Sequence, residues 1–213
     1  MSPLLRSPFS TLASERLAGI GHNGGPPLDA AVSWRRHCWK VARQTTLPSA
    51  PLEVVRRRVA RARALGLAYP AYASILAGTG RDVRAMLFTA GALALTVSGI
   101  ARRVALDEER AARLRALEDC GRLIMVPEGT GLDGIGAALG TQGIAVLGVG
   151  EAPDPEAGFG PRRESVARLL AGPGLPADTV VMVGAAADER ATAEAGRLAK
   201  FLAADLYFAR PGV

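Results

Sequence analysis

The stretch that decides the fold is RLIMVPEGTGLDGIGAALGTQGIAVLGV, residues 122–149. It predicts a strand at 122–126, a glycine-rich turn and short helix at 127–142, and a second strand at 144–149. Parallel strands need a crossover connection between them, and that connection is usually helical. A short apolar run on each side of a helical pattern therefore predicts a β-α-β unit.

The same alternation continues on both sides of this unit. Periodicity predicts further helices at 107–119, 162–171 and 187–202 and further strands at 179–183 and 205–209. Strands that alternate with helices of this length favour a parallel sheet covered on both faces. We therefore expect residues 106–213 to form an α/β domain of Rossmann-like type.

Residues 51–105 predict a basic helical region before that domain. The clearest helix is 51–65, PLEVVRRRVARARAL, with a proline in its first turn and apolar residues at helical spacing. A second short helix is expected from Pro70 to Ala77. For residues 79–88 the sequence allows either a third helix or a strand at 83–88. Such a strand would join the same sheet.

Residues 1–50 are expected to be a flexible arm rich in glycine and proline. Both tryptophans of the chain, Trp34 and Trp39, lie in this arm beside Arg35 and Arg36. Aromatic rings among arginines can stack on bases while the guanidinium groups contact phosphates. The alternative is that the two rings pin the arm onto the folded body.

Charge is divided unevenly along the chain. Residues 1–105 carry 15 Arg or Lys and 4 Asp or Glu, a net charge of +11, whereas residues 106–213 carry 11 and 16, a net charge of −5. A basic region attached to a body of opposite sign indicates an anionic partner, either nucleic acid or an acidic protein surface. The residues expected to contact it are Trp34, Arg35, Arg36, Trp39, Arg56, Arg57, Arg58, Arg61 and Arg63.

A glycine motif gives a different hypothesis. Gly129, Gly131 and Gly134 satisfy G-x-G-x-x-G directly after a predicted strand. Glycines in that place let the backbone approach a pyrophosphate at a helix N-terminus, and Glu151 ends the next strand, where an acidic residue could hold a ribose. Asp133, however, puts a carboxylate where a phosphate would lie. The motif indicates either a nucleotide-binding loop or a structural turn.

Two short segments resemble parts of known enzyme families. The segment GIGAALGTQGIAV, residues 134–146, resembles the nucleotide-binding turn of short-chain dehydrogenases. The strand end VVMVG and the residues after it resemble a motif of haloacid-dehalogenase-type phosphatases, with Ala185 in place of the first Asp. The Tyr-x-x-x-Lys pair of the first family and the Asp-x-Asp-x-Thr motif of the second are absent. We therefore expect no catalytic residues from either family.

A third resemblance concerns the first third of the chain. The segment GIGHNGGPPL, residues 19–28, resembles an N-terminal signature of a group of small proteins from alphaproteobacteria and their phages. The segment VVRRRVARARALGLAYPAYASILAGTGRDV, residues 54–83, is similar to part of the same group. This resemblance implies a lineage and no particular activity.

Other site classes have little support in the sequence. His22, His37 and the adjacent Cys38 lack a fourth zinc ligand, so we expect no metal site. We also expect no cofactor. Cys38 and Cys120 form no disulfide framework, which favours the cytoplasm. The uncharged residues 85–101 are short and diluted by polar residues, which favours a buried strand or helix over a membrane span.

Three functional hypotheses follow from these patterns. The first is a non-enzymatic accessory or regulatory protein whose basic half contacts nucleic-acid phosphates. The second is a protein-interaction subunit that docks on an acidic partner. The third is a nucleotide-binding α/β protein that uses the loop from Gly129 to Gly134.

Overall fold

The computed structural model describes residues 51–98 and 103–209. In chain order the strands are β1 Ala85–Thr89, β2 Thr96–Ser98, β3 Arg103–Ala105, β4 Gly121–Val126, β5 Gly148–Glu151, β6 Val180–Gly184 and β7 Lys200–Ala203. The helices are α1 Leu52–Ala64, α2 Tyr69–Thr79, α3 Ala90–Leu93, α4 Glu108–Arg115, α5 Ile135–Thr141, α6 Phe159–Ala171, α7 Ala187–Ala195 and α8 Ala204–Phe208.

Five of the strands form a parallel sheet in the order β5-β4-β1-β6-β7. Counted within this sheet alone, the order is 3-2-1-4-5, the arrangement found in Rossmann folds. β2 and β3 form a separate antiparallel hairpin. The predicted Rossmann-like α/β architecture is therefore confirmed.

The core lies on both faces of this sheet, because successive side chains of a strand point to opposite sides. One face carries Met86 and Phe88 of β1, covered by α1, α2, α4, α5 and α8. The other face carries Leu87, covered by α6 and α7. All five residues of β1 are buried, as expected for a central parallel strand.

The division expected between residues 105 and 106 is not a domain boundary. The segment 79–88, for which a helix and a strand were both possible, contains β1. This strand pairs with β4 on one side and β6 on the other. A strand from the basic region is thus the centre of the sheet. Residues from Leu52 to Val213 accordingly form one compact unit.

The strand expected at 144–149 begins later and spans Gly148–Glu151. Ile144 is buried in the connection before it, so only the last two residues of the apolar run lie in the strand. A Cβ on Gly150 would lie 3.2 Å from Leu169, which shows how closely α6 packs on this strand. Glycines that weaken a strand by propensity are used here because a helix lies directly against it.

The last elements also differ from expectation. The helix predicted at 187–202 ends at Ala195, and Lys200–Ala203 forms β7 instead. The segment 205–209, predicted as a strand, is mostly the helix α8. Tyr207 of α8 is buried, and its ring lies 5.8 Å from that of Phe88. Five residues are too few for periodicity to separate a helix from a strand.

The uncharged segment that starts at residue 85 holds β1, α3 and β2. Within 51–98 and 103–209, no helix is long and apolar enough to cross a membrane.

Candidate functional site

Arg61 of the basic helix is held by the fold. Its Nε donates to Asp82 Oδ2 at 2.9 Å, and its terminal nitrogens donate to the main-chain oxygens of Val83, Glu118 and Asp119 at 2.8–3.2 Å. The Arg61 side chain is only 20% exposed. Because its donors are already engaged, Arg61 moves from the expected binding surface to the scaffold that positions α1.

Three of the other four arginines of α1 are exposed. Arg56 is exposed and pairs with Glu53 at 2.8 Å, an ion pair of little energetic weight at this exposure. Arg57 and Arg63 are exposed, and their side chains form no hydrogen bond or ion pair within the described residues. Arg58 is half-buried. The sequence therefore predicted the helix correctly, but Arg61, and in part Arg58, lie off its outer surface.

Elsewhere in the fold, arginines hold the carbonyl ends of helices. Arg122 donates to Leu114 O at 2.7 Å and to Leu117 O at 2.7 Å, where α4 ends. Arg115 donates to Gln142 O at 3.0 Å after α5. The last carbonyl groups of a helix have no partner within it. Cations there also interact favourably with the negative end of the helix dipole.

Arg113 and Arg162 also donate to main-chain oxygens. Arg113 donates to Gly66 O at 3.0 Å, just after α1. Arg162 is 8% exposed and donates to three main-chain oxygens and to Thr192 Oγ1. Part of the arginine content is therefore structural.

The glycine motif lies where β4 leads into α5. Gly129, Gly131 and Gly134 all have positive φ, between 74° and 81°, which L side chains rarely adopt. Glu151 is the last residue of β5, as the sequence predicted, and its Oε1 accepts a hydrogen bond from Gly129 N at 3.4 Å. Glu151 thus contacts the loop itself, and the glycines are required by the shape of the turn.

A groove of about 330 Å³ lies beside this loop at the carboxyl ends of β4 and β5. Four acidic side chains line it together with one arginine: Glu128, Glu151, Asp154, Glu164 and Arg168. Arg168 is paired with Glu164 at 2.9 Å. This excess of negative charge opposes binding of a pyrophosphate.

The topological switch point of the sheet lies between β1 and β6, where ligands bind in open α/β sheets. There Glu189 Oε2 accepts from the amides of Ala185 and Ala186 at 2.5 and 2.9 Å. Its Oε1 lies 3.7 Å from where a Cβ of Gly91 would be. A carboxylate of α7 therefore occupies the amides to which an anionic ligand would bind.

Ser74 and Lys200 bring a hydroxyl group and an amine into contact, as a nucleophile and its base would be. Lys200 Nζ donates to Ser74 Oγ, and Ser74 Oγ donates to Ala71 O at 2.7 Å. The hydroxyl proton lies toward a helix carbonyl, so it is not aligned for abstraction by Lys200. The contact joins β7 to α2.

The thiol of Cys120 and the hydroxyls of Tyr72 and Tyr207 are also tied to the fold. Burial raises the pKa of Cys120 to about 11 and the pKa of Tyr72 to about 12, and it raises that of Tyr207 as well. A thiol with a raised pKa is a poor nucleophile at neutral pH. No group of three or more His, Cys, Asp or Glu residues within 51–98 and 103–209 could hold a metal ion.

The remaining sequence-predicted residues, Trp34, Arg35, Arg36 and Trp39, lie outside the described residues, as do His22, His37 and Cys38.

Comparison with known proteins finds similarity in structure and none in sequence. No protein-family model and no curated protein matches the chain. Among solved structures, the chain is similar to a hypothetical protein from Xanthomonas campestris, at 17% identity and a TM-score of 0.41, over 62% of this chain and 68% of that one. That description names no activity, so function has to be inferred from the residues of this chain.

Proposed function

We propose that this protein is a non-enzymatic accessory or regulatory protein that contacts the phosphate backbone of nucleic acid through the outer face of α1. The observation that carries the proposal is the pair Arg57 and Arg63. Both are exposed on one helix, and neither guanidinium group has a partner among the described residues. Guanidinium groups that face solvent without a carboxylate can form charge-assisted hydrogen bonds to phosphates.

The anchoring of α1 supports the same proposal. Arg61 joins the helix to the residues before β1 and β4, so the outer arginines project from a fixed scaffold. A preorganised surface spends less conformational entropy on binding than a free arm does. Contacts with a phosphate backbone need no pocket, which agrees with an open helix face.

The acidic groove at the carboxyl ends of β4 and β5 favours binding of nucleic acid on the side of α1. Its carboxylates repel a polyanion, so a nucleic acid would approach α1 and avoid that groove. The whole chain carries a net charge of +6, which favours such an encounter.

The test is the salt dependence of binding to a short labelled DNA duplex and to a single-stranded RNA of equal length. Each phosphate contact on duplex DNA contributes about −0.9 to the slope of log K against log salt. The double variant R57Q/R63Q should bind more weakly and reduce the steepness of that slope by about 2. Fluorescence anisotropy at several salt concentrations measures both quantities.

The matched control is R168Q/R190Q, which removes the same charge from exposed arginines of α6 and α7. Its slope should stay within error of the unmodified protein. Equal slopes for all three proteins would contradict the proposal. If R57Q/R63Q instead loses a stoichiometric protein partner in a nuclease-treated pull-down, the acidic-partner hypothesis is correct.

A further inference from the structure

A groove on the α6–α7 face of the sheet has no part in the proposal above. Val166 and Leu170 of α6 and Leu175 of the following turn form an apolar floor. Arg163 and Arg197 are exposed and line its rim. Its volume is about 380 Å³, within the range of small-molecule sites.

Both rim arginines are unengaged. Neither Arg163 nor Arg197 forms a hydrogen bond or ion pair through its side chain within the described part of the chain. The neighbouring Arg162 is buried on main-chain oxygens, and Arg168 pairs with Glu164. Two free guanidinium groups above an apolar floor are complementary to an anionic group joined to an apolar body.

The backbone at Arg197 is a second observation. Its φ is +53°, in the left-handed region that glycine or asparagine usually occupies after a helix. A Cβ on Gly196 would lie 2.6 Å from Val166 Cγ1, so the end of α7 lies directly against α6 and places Arg197 beside the groove. Glycine at 197 would relieve the backbone, which favours a role for the arginine side chain.

We propose that this groove binds a small amphipathic anion, an apolar chain or ring that carries one carboxylate. The apolar part lies on Val166, Leu170 and Leu175, because burial there removes apolar surface from water. The carboxylate lies between Arg163 and Arg197. The size of the groove suits a small molecule.

The probe is octanoate, with octanol as the uncharged molecule of equal chain length. In nitrogen-15 NMR spectra of the full chain, octanoate should cause saturable shifts at the amides of Gly174, Gly196 and Arg197. Octanol should bind about tenfold more weakly, because it lacks the charge-assisted hydrogen bonds.

Two arginine variants test the rim. R163Q/R197Q should weaken octanoate binding by about tenfold. The control R84Q/R110Q, which removes the same charge outside the groove, should leave it unchanged. R197G should also weaken binding while its Tm stays equal or rises, because glycine adopts the left-handed backbone more readily. A loss of affinity in R197G therefore cannot come from unfolding.

One further variant tests the location. Ala167 is exposed in the wall of the groove, so A167W should fill it and abolish binding, whereas A112W on α4 should not. The proposal is overturned if millimolar octanoate gives no saturable shifts, if the shifts lie outside the groove, or if R163Q/R197Q binds as well as the unmodified protein. If R163Q/R197Q does not fold, R197G and A167W decide.

Discussion

At the two ends of the parallel sheet, side chains of opposite charge form hydrogen bonds with main-chain groups. At the amino end, Arg122 and Arg61 donate to main-chain oxygens near the end of α4. At the carboxyl end, Glu151 and Glu189 accept from main-chain amides of the loops that follow β4 and β6. Helices that connect parallel strands leave free carbonyls at one end of the sheet and free amides at the other.

This difference explains why total charge is a weak guide to binding in this molecule. The two arginines and two carboxylates just named already bind backbone groups, so they are not available to a ligand. The informative charges are the exposed ones without partners. Within the described residues these include Arg57 and Arg63 of α1 and Arg163 and Arg197 at the groove.

The largest expected effect comes from Arg122 at the amino end. R122M should lower the free energy of unfolding by about 3 kcal/mol, because hydrogen bonds from a charged group contribute roughly 1.5–3 kcal/mol each and this side chain has several. Urea denaturation measures the change. The matched control is R84M, an exposed arginine before β1, which should change stability by less than about 0.5 kcal/mol. A loss below about 1 kcal/mol in R122M would mean that water replaces the guanidinium.

The sheet was predictable where apolar runs are continuous and uninterrupted. The runs at 122–126 and 179–183 gave β4 and β6 within a residue or two. β5 and β7 were misplaced, because glycine in β5 and the half-buried pattern of β7 depend on contacts with α6 and β6. Such tertiary contacts leave no local periodicity.

At the carboxyl end the decisive residue is Glu189. E189A should lower the free energy of unfolding by about 1 kcal/mol, the usual cost of losing a side chain that caps helix amides. E194A, at an exposed position on the same helix, should have little effect. Chemical denaturation of both variants checks the difference, and equal stabilities would show that the cap contributes nothing.

The candidate sites were predictable only in part. The basic helix α1 was visible from its charge, but the engagement of Arg61 depends on Asp82, Val83 and Glu118, which lie 21 to 57 residues away. The groove at α6 has no sequence motif, because Arg163 and Arg197 are far apart in the chain and only the packing of α7 on α6 brings both to the groove. The left-handed backbone of Arg197 also has no signal in its residue type.

The last effect concerns pH and the contact of α2 with the amino end of the sheet. Tyr72 is buried, and its hydroxyl donates to Asp82 Oδ1 at 2.9 Å. Burial and this hydrogen bond raise the pKa of Tyr72 from its ordinary value of 10.0 to about 12. Between pH 10 and 12 the unfolded chain therefore loses a proton that the native protein keeps. The free energy of unfolding should fall as pH rises through that range, while below pH 10 the contribution of Tyr72 is complete.

Y72F removes this titration, so its stability should fall less steeply with pH above 10 than that of the unmodified protein. A residual slope is expected in Y72F, because burial also raises the pKa of Tyr207. Urea unfolding at a series of alkaline pH values measures both slopes. Parallel curves would mean that Tyr72 titrates in the native protein as it does in the unfolded chain. In that case the bond from Tyr72 would not help to hold Asp82, which would still be held beside Arg61 by the amide of Val83.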